Sequence, residues 1–235
     1  ARSGRAKAEP YGERGSAAPG QVLEHILSPT DWEAIVETFR QHGVTAVYAA
    51  GKISRLAVAA LFEQAAAGES RAVLEPGRFL EDQGLSRVFA GALERRGIRL
   101  GSQHELLGHL LAQPGVLSHR APDERERADI EVGLRLAREV AALDIGQTVV
   151  VRHGVVLAVE TAAEGTDAAI RRAGRLGGPG SVVVKVSRPD QDLRFDTPVV
   201  GPGTLRAMRE AGASCLAVEA GRCLIASATR GGWQL

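Results

Sequence analysis

The sequence predicts an α/β fold in two parts: an open sheet with helices on its faces, then a mixed region of helices and strands. Three observations carry this. Amphipathic helical stretches alternate with short apolar runs through the first half. Valine-rich runs at 148–159 and 181–186 are punctuated by Gly and Pro turns. One breaker-rich, charged segment, Gln113 to Arg127, separates the two halves. Helices alternating with buried strands place helices on the sheet faces, and a polar Pro/Gly segment is where domains divide.

Each element has a local cause. Thr30 to Glu33 has capping-box spacing, and Trp32, Ile35, Val36 and Phe39 follow at helical intervals before Gly43. Val44 to Ala50 reads as a buried parallel strand with Gly51 and Lys52 at its carboxyl end, and Arg55 to Ala67 as a helix. Leu85, Val88, Phe89 and Leu93 mark a further helix. Ile98 to Leu100 is a short strand, and Ser102 to Glu105 a second capping box. In the second half a helix is expected over about 128–143, with Ile130, Leu134, Ala137 and Ala141 on one face. Thr148 to Val151 and Val155 to Val159 flank a turn at His153-Gly154, which reads as a hairpin. A short helix begins near Thr166, with Thr166 as its N-cap, and Ser181 to Val186 is a strand. Pro198 to Gly203 turns into a helix over 204–211, and Cys215 to Val218 with Cys223 to Ala226 reads as another hairpin. The expected division is a tail over 1–19, a first domain over 20–115, a linker over 116–127 and a second domain over 128–235.

Composition excludes several classes. With 29 basic and 28 acidic residues the net charge is +1, without the basic excess of a protein whose main partner is nucleic acid. No apolar run approaches the ~20 residues of a membrane span, and residues 1–19 lack a signal peptide's apolar core. Cys215 and Cys223 form no metal-ligand spacing and read as buried, reduced thiols of a cytoplasmic protein. The six histidines are scattered, with His104 and His109 five apart, and no Ser/His/Asp or Cys/His set is visible.

Charged residues cluster most densely between Lys185 and Asp196. If Asp192 to Asp196 is extended, Leu193 and Phe195 face the core, while Asp192, Arg194 and Asp196 share the other face. Two carboxylates flanking a guanidinium can hold a hard cation, orient a water and grip a phosphate. The alternative is a solvated loop with an ion pair. A second cluster runs from Glu160 through Glu164-Gly165-Thr166-Asp167 to Arg171 and Arg172. A helix amino end with a preceding glycine is an anion site, and the alternative is a capped helix with a solvated arginine face. Gly51-Lys52 would lie where open α/β sheets bind ligands, but without P-loop spacing.

These stretches, in order, resemble the UDP-2,3-diacylglucosamine pyrophosphatases of the two-domain kind that replaces the metallophosphoesterase version in some bacteria. The resemblance rests on Ala50-Gly-Lys-Ile-Ser-Arg55, Asp129-Ile-Glu-Val-Gly133, Leu143-Asp-Ile-Gly-Gln147, Ala158-Val-Glu160 with Glu164-Gly-Thr-Asp167 and Arg171-Arg172, Lys185 with Pro189-Asp-Gln-Asp192 and Arg194-Phe-Asp196, Pro198-Val-Val-Gly201 and Val218-Glu-Ala-Gly221. It implies a Rossmann-like first domain, a mixed α/β catalytic second domain and substrate held between them. The implied reaction belongs to lipid A synthesis: water and UDP-2,3-diacylglucosamine give UMP and 2,3-diacylglucosamine 1-phosphate, with magnesium, or manganese in its place.

The resemblance places the essential carboxylate at Asp192, with Asp196 as second choice. Lys185 joins them in the catalytic set, and Glu160, Asp192 and Asp196 form the implied metal set. Gly51, Lys52, Gly165, Thr166, Asp167, Arg171, Gln191 and Arg194 are the implied substrate contacts. A cytoplasmic enzyme is implied, touching the inner-membrane surface through its lipid substrate, with a homodimer left open. Relatives begin with a strand and a Gly-Gly-Gly-x-Leu-Pro turn, which is not found before Gln21; the expectation is that the first βα unit is replaced by the tail. The rival readings are a nucleotide- or phospholipid-binding relative without turnover, and a hydrolase of another nucleotide-linked lipid.

Overall fold

The structure, a computed structural model, describes residues 25, 32–49, 90–91, 93–161, 163–192, 194 and 196–226. The chain divides into two compact units, Ala1–Ala46 and Val47–Leu235. In the first, helix α1 (Trp32–Gln41) ends at Gly43, whose φ of +62° lets Val44 N–H reach back to the Phe39 carbonyl at 2.9 Å. Thr30 of the expected capping box, Gly51, Lys52 and the helix expected over 55–67 lie outside the described residues.

The second unit contains the working part of the fold. Strand β1 (Ala46–Val47) falls at the division between the units, and within the second unit the short strand β2 (Arg99–Leu100) leads to helix α2 (Gln103–Leu107). Its expected capping box is present: Ser102 Oγ accepts from His104 N–H, and Glu105 reaches back to Ser102 N–H. Arg99, Ser102 and Tyr48 all donate to the exposed Glu105 carboxylate and hold it down at about 2.

Helix α3 (Glu124–Ala142) starts earlier than the apolar periodicity suggests, inside the segment read as a linker. Asp123 and Glu126 form a capping box there. The buried stripe is Glu126, Asp129, Gly133, Ala137 and Ala141, while Ile130 and Leu134 pack beside it half-buried. Strands β3 (Thr148–Arg152) and β4 (Val155–Val159) form the expected hairpin through His153 and Gly154, both at positive φ. Asp129 clamps that turn by accepting from both of its N–H groups, at 2.9 and 2.6 Å.

Helix α4 (Thr166–Gly177), strand β5 (Val182–Lys185), strand β6 (Val199–Val200), helix α5 (Pro202–Ala211), strand β7 (Cys215–Val218) and strand β8 (Leu224–Ile225) follow. The main sheet has the order β4-β3-β5-β7, with β5 antiparallel to β3 and parallel to β7. The expected hairpin of the last two strands does not form. β7 joins β5 in the main sheet, whereas β8 pairs in parallel with β6. Turn residues between two apolar runs carry no information about which strand each run will meet.

The sheet is covered on both faces. Val149, Val151, Val182, Val184 and Val186 pack with Ala137 and Ala141 of α3. Val150, Ala158 and Val183 pack with Ile170 and Ala173 of α4 and with Ala207 and Met208 of α5. This explains why these strands are apolar at consecutive positions rather than alternating. Each fully buried valine contributes roughly 1.5 kcal/mol or more relative to exposure.

Small residues set the helix spacing. A Cβ on Gly174 of α4 would lie 2.7 Å from the Ala211 backbone of α5, and one on Gly133 of α3 would lie 2.5 Å from Val184 Cγ2. Gly174→Ala is therefore expected to cost about 1–3 kcal/mol by overpacking, read as a fall in the urea midpoint at unchanged slope.

Glu126 gives the fold an acid sensitivity. Arg120 holds its carboxylate with two bonds of 2.7 and 2.8 Å, Ser214 Oγ adds a third at 2.6 Å, and the group is pushed down to about 2. A depressed carboxylate contributes stability that is complete above its ordinary value of 4.5 and is lost as pH falls towards 2. Thermal unfolding between pH 5 and 2 should show wild type losing more stability than Glu126→Gln. Equal losses would mean that Glu126 is not the group responsible.

Candidate active site

The sheet topology gathers polar groups at one edge. β5 leaves the sheet at Lys185, β7 at Glu219 and β4 at Glu160, all at carboxyl ends, while antiparallel β3 enters there at Thr148. Helix α4 begins at the same edge. The short α4-side connection is tight, since Glu160 N–H bonds Thr148 O at 2.8 Å and Gly165 N–H bonds Thr161 O at 3.1 Å.

The innermost group is Glu160, Thr166 and Lys185. Lys185 Nζ donates to Thr166 Oγ1 at 2.7 Å, and Thr166 Oγ1 donates to Glu160 Oε1 at 2.9 Å. Lys185 Nζ lies 4.0 Å from Glu160 Oε2, and that oxygen is buried with no hydrogen-bond partner. Lys185 is 7% exposed and Glu160 8%. Burying both charges is tolerable because they neutralise one another across the hydroxyl. The expected N-cap role of Thr166 is corrected here. Gly165, at φ +78°, occupies the cap position without a side-chain cap, and Thr166 is the first helical residue. Its hydroxyl is spent on the buried pair instead.

The stretch after β5 departs from the extended reading. Arg194 lies in a turn, and Asp196 N–H reaches back to Asp192 O at 3.4 Å. Asp192, Arg194 and Asp196 therefore do not line one face of a strand. Asp192 accepts from the Arg194 backbone N–H at 3.0 Å and from its guanidinium at 2.8 and 3.0 Å, closing a local Asx turn. The Asp192 carboxylate raises the Arg194 pKa further above its usual value. Asp196, with 59% of its side chain exposed, stands 3.6 Å from Arg188 Nη2. Gln191 is buried, and its Oε1 accepts from Gln147 Nε2 at 2.9 Å.

The remaining candidates are placed as follows. Asp167, in the first turn of α4, lies near the start of α5, where a Cβ on Gly203 would come 3.2 Å from Asp167 Oδ2. Arg171 is one turn on and exposed, in an ion pair of 2.6 Å with Glu210 of α5. The structure does not bring it to the Glu160–Lys185 group. Its neighbour Arg172 turns back to the loop, donating to Glu164 and to Val159 O at 3.0 Å. Cys215 and Cys223 are free; Cys223 is buried as expected, which pushes its thiol up to about 11, whereas Cys215, read as buried, is only partly so because its strand lies at the edge of the sheet.

Sequence reasoning gave no role to Asp144, Gln147, Arg188, Glu219 or Arg222, which also meet at this edge. Arg188 is buried and bonds Asp144 Oδ1 at 2.5 Å. Glu219 accepts from Ser187 N–H at 3.1 Å, and Arg222 donates to Arg188 O at 2.7 Å. The available signal was position: Ser187 and Arg188 directly follow the buried strand.

No group of three or more His, Cys, Asp or Glu side chains suited to a metal ion is found among the described residues. The acidic candidates are each engaged by a cation: Glu160 faces Lys185, Asp192 binds Arg194 and Asp196 faces Arg188. The donor set does not form a closed cage. A hard ion held here would need a ligand's phosphate to complete its coordination.

The fold and this edge define an α/β protein with a buried lysine–carboxylate group at the carboxyl edge of its main sheet. The family described as the LpxI C-terminal domain matches residues 113–230. UDP-2,3-diacylglucosamine pyrophosphatase LpxI of Caulobacter vibrioides is 35% identical over 199 residues, covering 81% of this chain and 71% of that protein. The chain belongs to the LpxI family.

Removing the hydroxyl at the centre of the buried group tests its energetics. Thr166→Val leaves Lys185 Nζ and Glu160 Oε1 without their shared partner and should cost about 1–3 kcal/mol in urea unfolding, whereas Thr166→Ser should stay near wild type. A Thr166→Val protein as stable as wild type would mean that the hydroxyl does not bridge the two charges.

Proposed function

We propose that the chain is a hydrolase of the pyrophosphate bond of UDP-2,3-diacylglucosamine, releasing UMP and 2,3-diacylglucosamine 1-phosphate. Family membership supports the activity and the substrate. The observation that supports the location is the buried Lys185–Thr166–Glu160 group at the amino end of α4.

Hydrolysis of a pyrophosphate needs its negative charge opposed and a water aimed at phosphorus. Lys185 and the first-turn N–H groups of α4 oppose that charge, since a helix amino end carries partial positive charge. Gly165 permits close approach there, with Thr166, Asp167, Gln191 and Arg194 as further contacts. Glu160 Oε2 accepts a hydrogen bond from the ligand or its water. Asp196 is the carboxylate proposed to orient the attacking water, because it stands exposed while Asp192 is consumed in closing the turn. The site is proposed to take magnesium or manganese through Asp196 with Asp192 or Glu160. When bound, the ion neutralises phosphate charge. Gly51 and Lys52 remain substrate contacts by resemblance alone. No helix among the described residues is long and apolar enough to cross a membrane, and contact with a membrane surface is proposed through the lipid substrate.

UMP release from UDP-2,3-diacylglucosamine by the purified chain tests the reading. Asp196→Asn should lower kcat by on the order of 10³ with the fold retained, and Asp192→Asn by less. The reverse order would return the essential role to Asp192. A wild-type chain that binds the substrate without turnover would support a binding relative instead.

Divalent dependence is a separate expectation. Turnover should vanish in excess EDTA and return with magnesium or manganese, but poorly with calcium. Full activity in EDTA would leave Lys185 and Arg194 to oppose the charge alone.

A further inference from the structure

We infer that Arg188 is a positioning residue, and that its guanidinium, anchored on Asp144, fixes the Asp196 carboxylate for the reaction. This rests on the pyrophosphatase reading for its consequence and on the geometry for its form. Arg188 is 4% exposed, and one end of its guanidinium lies 2.5 Å from Asp144 Oδ1 while the other lies 3.6 Å from Asp196 Oδ2. A planar guanidinium can hold two carboxylates at a fixed angle, which an ammonium cannot.

Asp144 and the Arg188 backbone are each held by hydrogen bonds. Asp144 follows α3 at φ +55°, a conformation that Asp tolerates, and its N–H bonds Ala141 O at 3.1 Å. Helix α3 thus aims the Asp144 carboxylate. The Arg188 backbone is held on both sides, its N–H by Gln191 Oε1 at 3.3 Å and its carbonyl by Arg222 Nη2 at 2.7 Å. Asp196 itself sits on a turn whose far side is tied down by Gln103, where Thr197 N–H bonds Gln103 Oε1 at 3.2 Å. An exposed carboxylate on such a turn would otherwise sample several rotamers. The buried charge beneath it favours the rotamer that faces Arg188, and misplacing a reacting group costs rate more than binding.

The test is steady-state kinetics of the full chain on UDP-2,3-diacylglucosamine. Arg188→Lys is expected to lower kcat about tenfold or more with KM little changed. Asp144→Asn, which keeps a hydrogen bond to Arg188 but not the charge, is expected to lower kcat about two- to fivefold. In an Asp196→Asn background neither change should lower kcat further, because residues that act as a unit are non-additive.

Wild-type kcat in both variants, or losses of full size in the Asp196→Asn background, would overturn the inference. If Arg188→Lys does not fold, Asp144→Asn decides by the same criteria. Amide exchange over residues 189–197 gives a readout independent of turnover. It should quicken in Asp144→Asn, and unchanged exchange in that segment overturns the positioning role. An inactive wild type would count against the pyrophosphatase reading, and the exchange result would still decide this one.

Discussion

A strand buried on both faces sets the terms for everything around it. From Val182 to Val184 every side chain of β5 lies under a helix, α3 on one side and α4 with α5 on the other. Such a strand can carry only apolar residues until it reaches the edge of its cover. At that edge its first polar side chain, Lys185, is still buried and must find a countercharge, because an isolated ammonium in such a place would cost several kcal/mol. Glu160 supplies it from the end of β4, with the Thr166 hydroxyl between them. The requirement that stabilises the sheet therefore also concentrates charge at one end of it.

The same constraint explains which parts of the fold the sequence discloses. Consecutive valines at 149–151 and 182–184 announce doubly covered strands, and His153-Gly154 announces a two-residue turn, so the hairpin and central strand are legible. The pairing of β7 and β8 is not, because it depends on where the chain returns to in space and not on the residues between the two strands. The start of α3 was hidden for a different reason. Its first turn is stabilised by Asp123, Glu126 and Arg120, charges that resemble a solvated linker until the ion pair with Arg120 is seen.

The site was legible as a list of residues and not as a geometry. Glu160, Thr166 and Lys185 are brought together across separations that no local spacing encodes. The alternation argument for Asp192, Arg194 and Asp196 required an extended segment, but an Asx turn formed instead, since an aspartate two residues before an arginine can bond both its backbone and its side chain. Arg188 lies inside the charged cluster that the sequence shows, but nothing in its spacing distinguishes it from its neighbours. Its burial against Asp144 comes from the end of α3, more than forty residues earlier in the chain.

Charge balance at this edge constrains what a pyrophosphate ligand must bring with it. Lys185 faces Glu160, Arg188 lies between Asp144 and Asp196, Arg194 binds Asp192, Arg172 binds Glu164 and Arg222 approaches Glu219. Each of these cations already has a carboxylate, so none offers an unopposed positive charge to an anion. A ligand bearing two phosphates would add negative charge to a region that is close to neutral, and the low dielectric of a buried edge makes that expensive. The partial positive charge at the start of α4 offsets part of that cost. This balance is the physical ground for proposing a divalent ion held jointly by phosphate and one or two carboxylates. Of the paired acids Asp196 is the most exposed and its partner stands farther off than hydrogen-bond distance, so its pairing is the one that costs least to give up.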